Sequence, residues 1–294
     1  MIAPDNEQWQ TISWNAIRLE RPADWEPIVS GKTHILFEQE FRPVFELRWQ
    51  RPGKRSRESM DAALARIARE SGLPELTPIP PHWKKYSDKY AIKLLAADEG
   101  DIPKAAIFIC RECKSTLLFY FFKELTGRLH QDMLQLISSI RCHQESAESG
   151  VLWKIQDFQV STPEYFSLSG YNFGAGLTRL SFVHKGFTMH LCRLAGAGQR
   201  LRDSSLLNLL NLLGDLNIHE DSARYRENEV SHRSYPSITQ QIRCRIRRES
   251  PFHWAVLRHH PELDRISGLF FFDKKPIPEN LVSSMEESYE IFPL

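Results

Sequence analysis

Apolar and polar residues alternate with a period of two through "IRLERPADWEPI" (Ile17 to Ile28), "THILFEQEFRPVFELRWQ" and "LTRLSFVHKGFTMHLCRL". That is the pattern of strands with one face buried. The period changes to that of a helix in "RESMDAALARIARESG", "DSSLLNLLNLLGDL", "QDMLQLISSIRCH" and "PENLVSSMEESYEIF". In the third of these Met133, Leu136, Ile137 and Ile140 fall at i, i+3, i+4 and i+7, one apolar face. In the last, Val282, Met285 and Tyr289 repeat the spacing. Two strand pairs are predicted, "YAIKLLAAD" with "KAAIFIC" and "QIRCRIRRES" with "FHWAVLRHH", each followed by a third strand, "TLLFYFF" or "ISGLFFF".

Laid end to end, these elements occur twice in the same order. Near the start of each series an alternating strand runs into a proline with an aromatic three residues on: Pro22 with Trp25, Pro163 with Phe166. A tryptophan precedes each, Trp14 or Trp153. The order predicts an internal duplication, with modules over 1–146 and 147–294 and a boundary in the polar loop "HQESAESGV" (His143 to Val151). Each half reads strand, two-strand hairpin, helix, three-stranded meander, helix. The expected class is α+β: two tandem modules, each a mainly antiparallel sheet covered by helices.

The opening strand ending in "RPADW" or "TPEYF", then hairpin, helix, meander and closing helix, resembles the PsbP-like fold group. That group includes the extrinsic photosystem II protein, the Mog-type import factors and the DcrB-like proteins. The resemblance covers each half separately. It implies an accessory or protein-binding role, with another protein as partner, and supplies no catalytic residues.

Composition narrows the picture. A chain of 294 residues with 41% hydrophobic and 26% charged residues has material for two cores. A net charge of +1 argues against a general polyanion binder, so nucleic acid is not an expected partner. The first residues have neither the basic nor the apolar region of a secretory signal. No apolar run approaches the ~20 residues that span a bilayer, so membrane insertion is not expected. Five cysteines (Cys110, Cys113, Cys142, Cys192, Cys244) are an odd set for a disulfide framework and favour a reducing cytoplasm.

The chain lacks Gly-x-Ser-x-Gly, His-Glu-x-x-His and P-loop signatures, and no catalytic residue is assigned. The "GAG" triplets at Gly174 to Gly176 and Gly196 to Gly198 read as turns, without the third glycine and strand-to-helix setting of a dinucleotide loop. A competing class is an enzyme or small-ligand binder with its site in a cleft between modules.

The most specific chemistry is "CREC", which puts Cys110 and Cys113 at a hairpin between two apolar runs. The following strand leads away by about 20–23 Å at ~3.3 Å per residue. The closing helix returns some 15–17 Å and ends in Cys142 and His143. Packed antiparallel, it would bring a Cys₃His set together for zinc. Adjacent ligands at a helix end diverge, however, and the matching second-half turn "RHHPELDR" has His259 and His260 but no cysteine. The expectation is therefore a turn with ordinary thiols and no cofactor, with zinc on Cys110, Cys113, Cys142 and His143 as the alternative.

Two basic groups are further candidates. Read as a strand, "QIRCRIRRES" turns Arg243, Arg245 and Arg247 to one face, where they could contact an anion or acidic partner. "RWQRPGKRSRES" clusters Arg48, Arg51, Lys54, Arg55 and Arg57 near Trp49 and could stack on nucleic acid; a charged loop is the expected reading.

Overall fold

The structure is a computed structural model that describes residues 9–52, 59–96, 102–143, 150–174, 176–247 and 249–293. The chain divides into two units, Met1–Ala147 and Glu148–Leu294.

In the first unit a hairpin of β1 (Trp9–Trp14) and β2 (Ile17–Pro22) precedes a meander of β3 (Glu26–Gly31), β4 (His34–Gln39) and β5 (Arg42–Gln50). Helices α1 (Met60–Ser71) and α2 (Pro81–Lys84) lead to a second meander, β6 (Tyr90–Ala96), β7 (Pro103–Cys110) and β8 (Thr116–Phe121), then α3 (Gly127–Ser139). The two meanders join as one antiparallel sheet in the order β3-β4-β5-β8-β7-β6. In-register pairs such as Phe45 with Phe121 and Leu47 with Phe119 place the large side chains on one face. There Trp83 of α2 lies 6.1 Å from Phe108 and 6.3 Å from Phe121, ring to ring. The opposite face, Ala105, Ile107 and Ile109, packs under Leu64 and Ala68 of α1. Ser59 caps α1 through its hydroxyl and Gly72 ends it in the left-handed conformation, which glycine adopts without steric cost.

The second unit opens with the hairpin β9 (Val151–Ile155) and β10 (Phe158–Thr162), then β11 (Ser167–Gly174), β12 (Leu177–His184) and β13 (Phe187–Ala195). Helices α4 (Ala197–Asp203) and α5 (Leu206–Gly214) follow, then β14 (Arg224–Arg226), β15 (Glu229–Arg233) and α6 (Ile238–Arg247). The unit closes with β16 (Phe252–His260), β17 (Arg265–Asp273), α7 (Glu279–Ser288) and β18 (Glu290–Ile291). Its sheet runs β11-β12-β13-β17-β16-β15-β14. In each unit the first meander therefore meets the last strand of the second one, and the order runs outward from that seam.

The proline-aromatic segments adopt the same local form in both units. The Trp25 amide donates to the Pro22 carbonyl and the Phe166 amide to the Pro163 carbonyl, each at 3.1 Å. Both rings are buried, Trp25 at 5.6 Å from Phe45 and Phe166 at 5.4 Å from Phe187.

The expected α+β class is corrected. Strands take 45% of the structure and helices 26%, so the protein is mainly β, and its sheets are not simply roofed by helices. Two causes are visible. The sequence predicts no strand before Ile17, yet β1 is there and pairs with β2 through a turn at Asn15 and Ala16, both at positive φ, as a type I′ turn requires; Asn-Ala is not a strong sequence signal for it. Part of the covering is also done by these hairpins: Trp14 and Trp153 are wholly buried, and Trp153 meets Phe182 at 4.9 Å.

The second correction concerns Arg243, Arg245 and Arg247, which lie on helix α6 and not on a strand. The place next to β16 is taken by β15. A capping box starts the helix: the Gln240 amide donates to the Ser237 hydroxyl at 3.3 Å. In return the Ser237 amide donates to the Gln240 side chain at 2.8 Å. "SITQ" is the sequence form of that motif.

Candidate metal centre

The sulfurs of Cys110, Cys113 and Cys142 and a ring nitrogen of His143 all lie within 4.8 Å of one another. Three pieces of backbone bring them there. Cys110 ends β7, and the turn behind it is closed by the Cys110 amide donating to the Ser115 carbonyl at 2.9 Å and the Lys114 amide donating to the Cys110 carbonyl at 3.0 Å. Lys114 takes the left-handed conformation in that turn. From the other direction, the chain leaves α3 through Ile140 in extended conformation. Arg141 then pairs with Arg18 of β2 through two backbone hydrogen bonds, of 2.8 and 2.9 Å, and Lys89 holds the Ile140 carbonyl at 2.7 Å. Cys142 and His143 follow in a bend just beyond that pairing, and the bend, in place of a helix end, lets two neighbouring side chains turn toward the same hairpin.

Three of the six separations are near those of a tetrahedral site, and the others are within 4.8 Å. With zinc–sulfur bonds of ~2.3 Å and zinc–nitrogen bonds of ~2.0 Å, the edges of a tetrahedral site are about 3.8 Å between sulfurs and about 3.5 Å between sulfur and nitrogen. Here Cys113 Sγ is 3.5 Å from Cys142 Sγ. His143 Nδ1 is 3.7 Å from Cys110 Sγ and 3.5 Å from Cys142 Sγ. All five cysteines are free thiols.

The surroundings suit the set. His143 Nε2 lies 2.8 Å from the Glu112 carboxylate, which fixes the ring and leaves Nδ1 directed at the sulfurs, the arrangement found behind metal-bound histidines. Hydrogen bonding from Cys142 pulls the Cys113 thiol well down against the opposing effect of burial, with Ser115 and His143 adding to the lowering. Cys142 is pushed up for the complementary reason, as donor to Cys113, and by burial. The lowering at Cys113 favours its thiolate, the form that binds metal. Tyr90, opposite Cys110 in the β6–β7 register, walls the site; burial, then the neighbouring Cys142 and Cys110, raise its hydroxyl pKa.

The other predicted groups fall elsewhere. Arg243, Arg245 and Arg247 are exposed on α6, and among the described residues α6 has no extensive packing against a second element. Arg48 pairs with Glu46 at 3.0 Å and Trp49 is buried, so it offers no stacking platform; Lys54, Arg55 and Arg57 lie outside the described residues. His259 and His260 are half-buried, and His260 bonds Ser267 at 2.9 Å. The triplet at Gly196 does stand between a strand and a helix, contrary to expectation. Its amides are already taken, however: Gly198 donates to the Asp264 carboxylate at 2.7 Å and Ala197 to the Asp264 carbonyl at 3.2 Å. A cavity of about 20 Å³ between Val256, Arg258, Gly268 and Glu286 has room for a single water.

Sequence reasoning missed one buried charge cluster. Asp157, in the β9–β10 turn, is bonded by both Arg193 and Arg265. Its only signal was an acid between two strands, which reads as an ordinary turn residue.

Fold and site together define a mainly β protein with a four-ligand Cys₃His cluster in its first unit. No known protein family matches the chain, and no curated protein does. Among solved structures, the crystal structure of MucB matches at 10% identity over 96% of this chain and 90% of that one, with a TM-score of 0.21. A likeness at that level carries no argument about fold or function. Among the described residues no helix is long and apolar enough to cross a membrane.

Proposed function

We propose that the chain is a non-catalytic binding or accessory protein whose first unit is stapled by a structural zinc ion on Cys110, Cys113, Cys142 and His143. The observation that supports this reading is the convergence of four potential ligands within 4.8 Å of one another, three of their separations being near tetrahedral. A catalytic zinc keeps one position open for water or substrate; a site closed by three thiolates and an imidazole does not. The ion would tie the β7–β8 turn to the segment leaving α3, two places separated by some thirty residues of chain, and metal binding of this kind adds directly to folding free energy. Thiols kept free for metal fit a reducing, cytoplasmic setting. The resemblance to the PsbP-like group is the basis for expecting a protein partner over a substrate.

The test is elemental analysis of the full chain purified without chelator. One zinc per chain is expected, lost together with several degrees of melting temperature on chelation and in Cys113→Ser. Metal-free protein whose melting is unchanged by added zinc would overturn the reading.

A further inference from the structure

Helix α6 is amphipathic, and it is turned inside out. At about 100° per residue, Ile238, Ile242 and Ile246 share an arc roughly 80° wide. They are 76%, 56% and 78% exposed. The residues of α6 that are part-covered are Gln241 and Cys244, roughly 100° and 160° round the helix from the middle of the stripe. An amphipathic helix of a globular protein normally buries its apolar stripe; here the stripe is exposed, and what cover the helix has falls away from it. Among the described residues α6 has no extensive packing against any strand or other helix.

The charges around the stripe say what it faces. Arg245 flanks one edge, roughly 20° beyond Ile238 on the wheel; Arg243 lies roughly 60° beyond the other edge, and Arg247 roughly 100°, toward the back of the helix. All three are exposed and the helix contains no acid. Apolar residues along one line, with guanidiniums on both flanks, are the arrangement of a helix lying in the plane of an anionic lipid surface. The isoleucines enter the acyl boundary and the arginine stems let their heads reach the phosphates. Tyr235, 70% exposed just before the helix, adds the type of aromatic that settles at such a boundary. A second copy of the chain is a poor occupant, because pairing two stripes would set arginines against arginines. A protein groove would need acids placed opposite both edges of the stripe, whereas an anionic lipid surface offers phosphates on every side.

We infer that α6 is a peripheral docking helix for anionic lipid headgroups, seating the second unit on a membrane surface without crossing it. This goes beyond the zinc-stapled reading and does not depend on it, because α6 and the cysteine cluster belong to different units. Each arginine near an anionic surface adds roughly fivefold to binding, and the isoleucines add the part that salt does not screen.

The experiment uses the full chain and sedimented vesicles of phosphatidylcholine alone, or mixed with phosphatidylserine, at low and physiological salt. Binding to the mixed vesicles should exceed binding to phosphatidylcholine by at least tenfold and weaken with salt. Ile242→Glu with Ile246→Glu should lower it at least tenfold, and Arg243→Gln with Arg245→Gln and Arg247→Gln should abolish the lipid preference. Because these side chains are exposed, both variants should keep the wild-type melting temperature. Three outcomes overturn the inference: no preference for anionic vesicles, unchanged binding by the isoleucine variant, or a dimer in solution that dissociates in that variant. So does a wild-type chain that ignores both vesicles while a photo-crosslinker at position 242 captures a cellular protein.

Discussion

Replacing Asp157 with asparagine tests the best-defined electrostatic feature of the second unit. The carboxylate is 1% exposed and the Arg193 side chain 9%. Arg265 Nε donates to the same oxygen at 2.6 Å, and Arg193 is bonded to it as well. The arginines come from β13 and β17, adjacent strands, so one acid pins the β9–β10 hairpin to two strands of the sheet. Burial alone would raise its pKa; the hydrogen bonds and charges of Arg193 and Arg265 overcome that and hold the carboxyl below its ordinary range. Asparagine keeps the shape but leaves a guanidinium buried beside a neutral amide. Removing one member of a buried ion pair costs about 3–5 kcal/mol. Among the described residues the second carboxylate oxygen has no hydrogen-bond partner, so a loss at the lower end, near ~3 kcal/mol, is expected. For a unit of roughly 150 residues that is a fall of about 10 °C in melting temperature, measurable by calorimetry. The sign with pH follows from the lowered pKa. The contribution is complete above the unfolded value near ~3.9 and disappears as pH falls through the folded one. Melting within about 2 °C of wild type would refute the argument. A triple variant, Asp157→Leu with Arg193→Met and Arg265→Leu, should recover much of the loss, since no charge is then left buried; failure to recover would show that the hairpin depends on something other than the charges.

Two further outcomes are expected. Trp25→Ala and Phe166→Ala should each cost about 3–5 kcal/mol in denaturant melts, as truncated core aromatics do; a wild-type midpoint in either would contradict its burial. His190 is held down to about 4 by burial and then Arg179, and His253 to about 4 by burial and then His232. The unfolded chain therefore takes up protons that the folded one refuses between pH ~6.5 and ~4. Stability present above pH ~6.5 should decline through that window, by about 1–2 kcal/mol for each histidine once partial exposure is allowed for. Urea midpoints against pH should show the slope, and His190→Gln with His253→Gln should flatten it.

Periodicity alone was enough to locate most strands of both meanders, the closing helices and the proline-aromatic turns, because each of these is set by near neighbours in the chain. It failed where one pattern served two periods. Ile242 and Ile246 stand an even number of residues apart, which suits a strand and a helix equally. Only the Ser237–Gln240 cap, a cue four residues long, favoured the helix. It failed also at Asn15–Ala16, where a tight turn carries no glycine, so the strand before that turn was not recognised and the proportion of β structure was underestimated. For the cysteine cluster, strand rise and helix rise gave the direction in which Cys142 and His143 return to Cys110 and Cys113. The last few ångströms depend on Arg141 pairing with Arg18 and on Lys89 holding the Ile140 carbonyl. Arg141 and Arg18 are distant in the chain, as Asp157 is from Arg265. A hydrogen bond between such residues leaves no periodic trace, because what selects it is the packing of whole elements and not the spacing of neighbours.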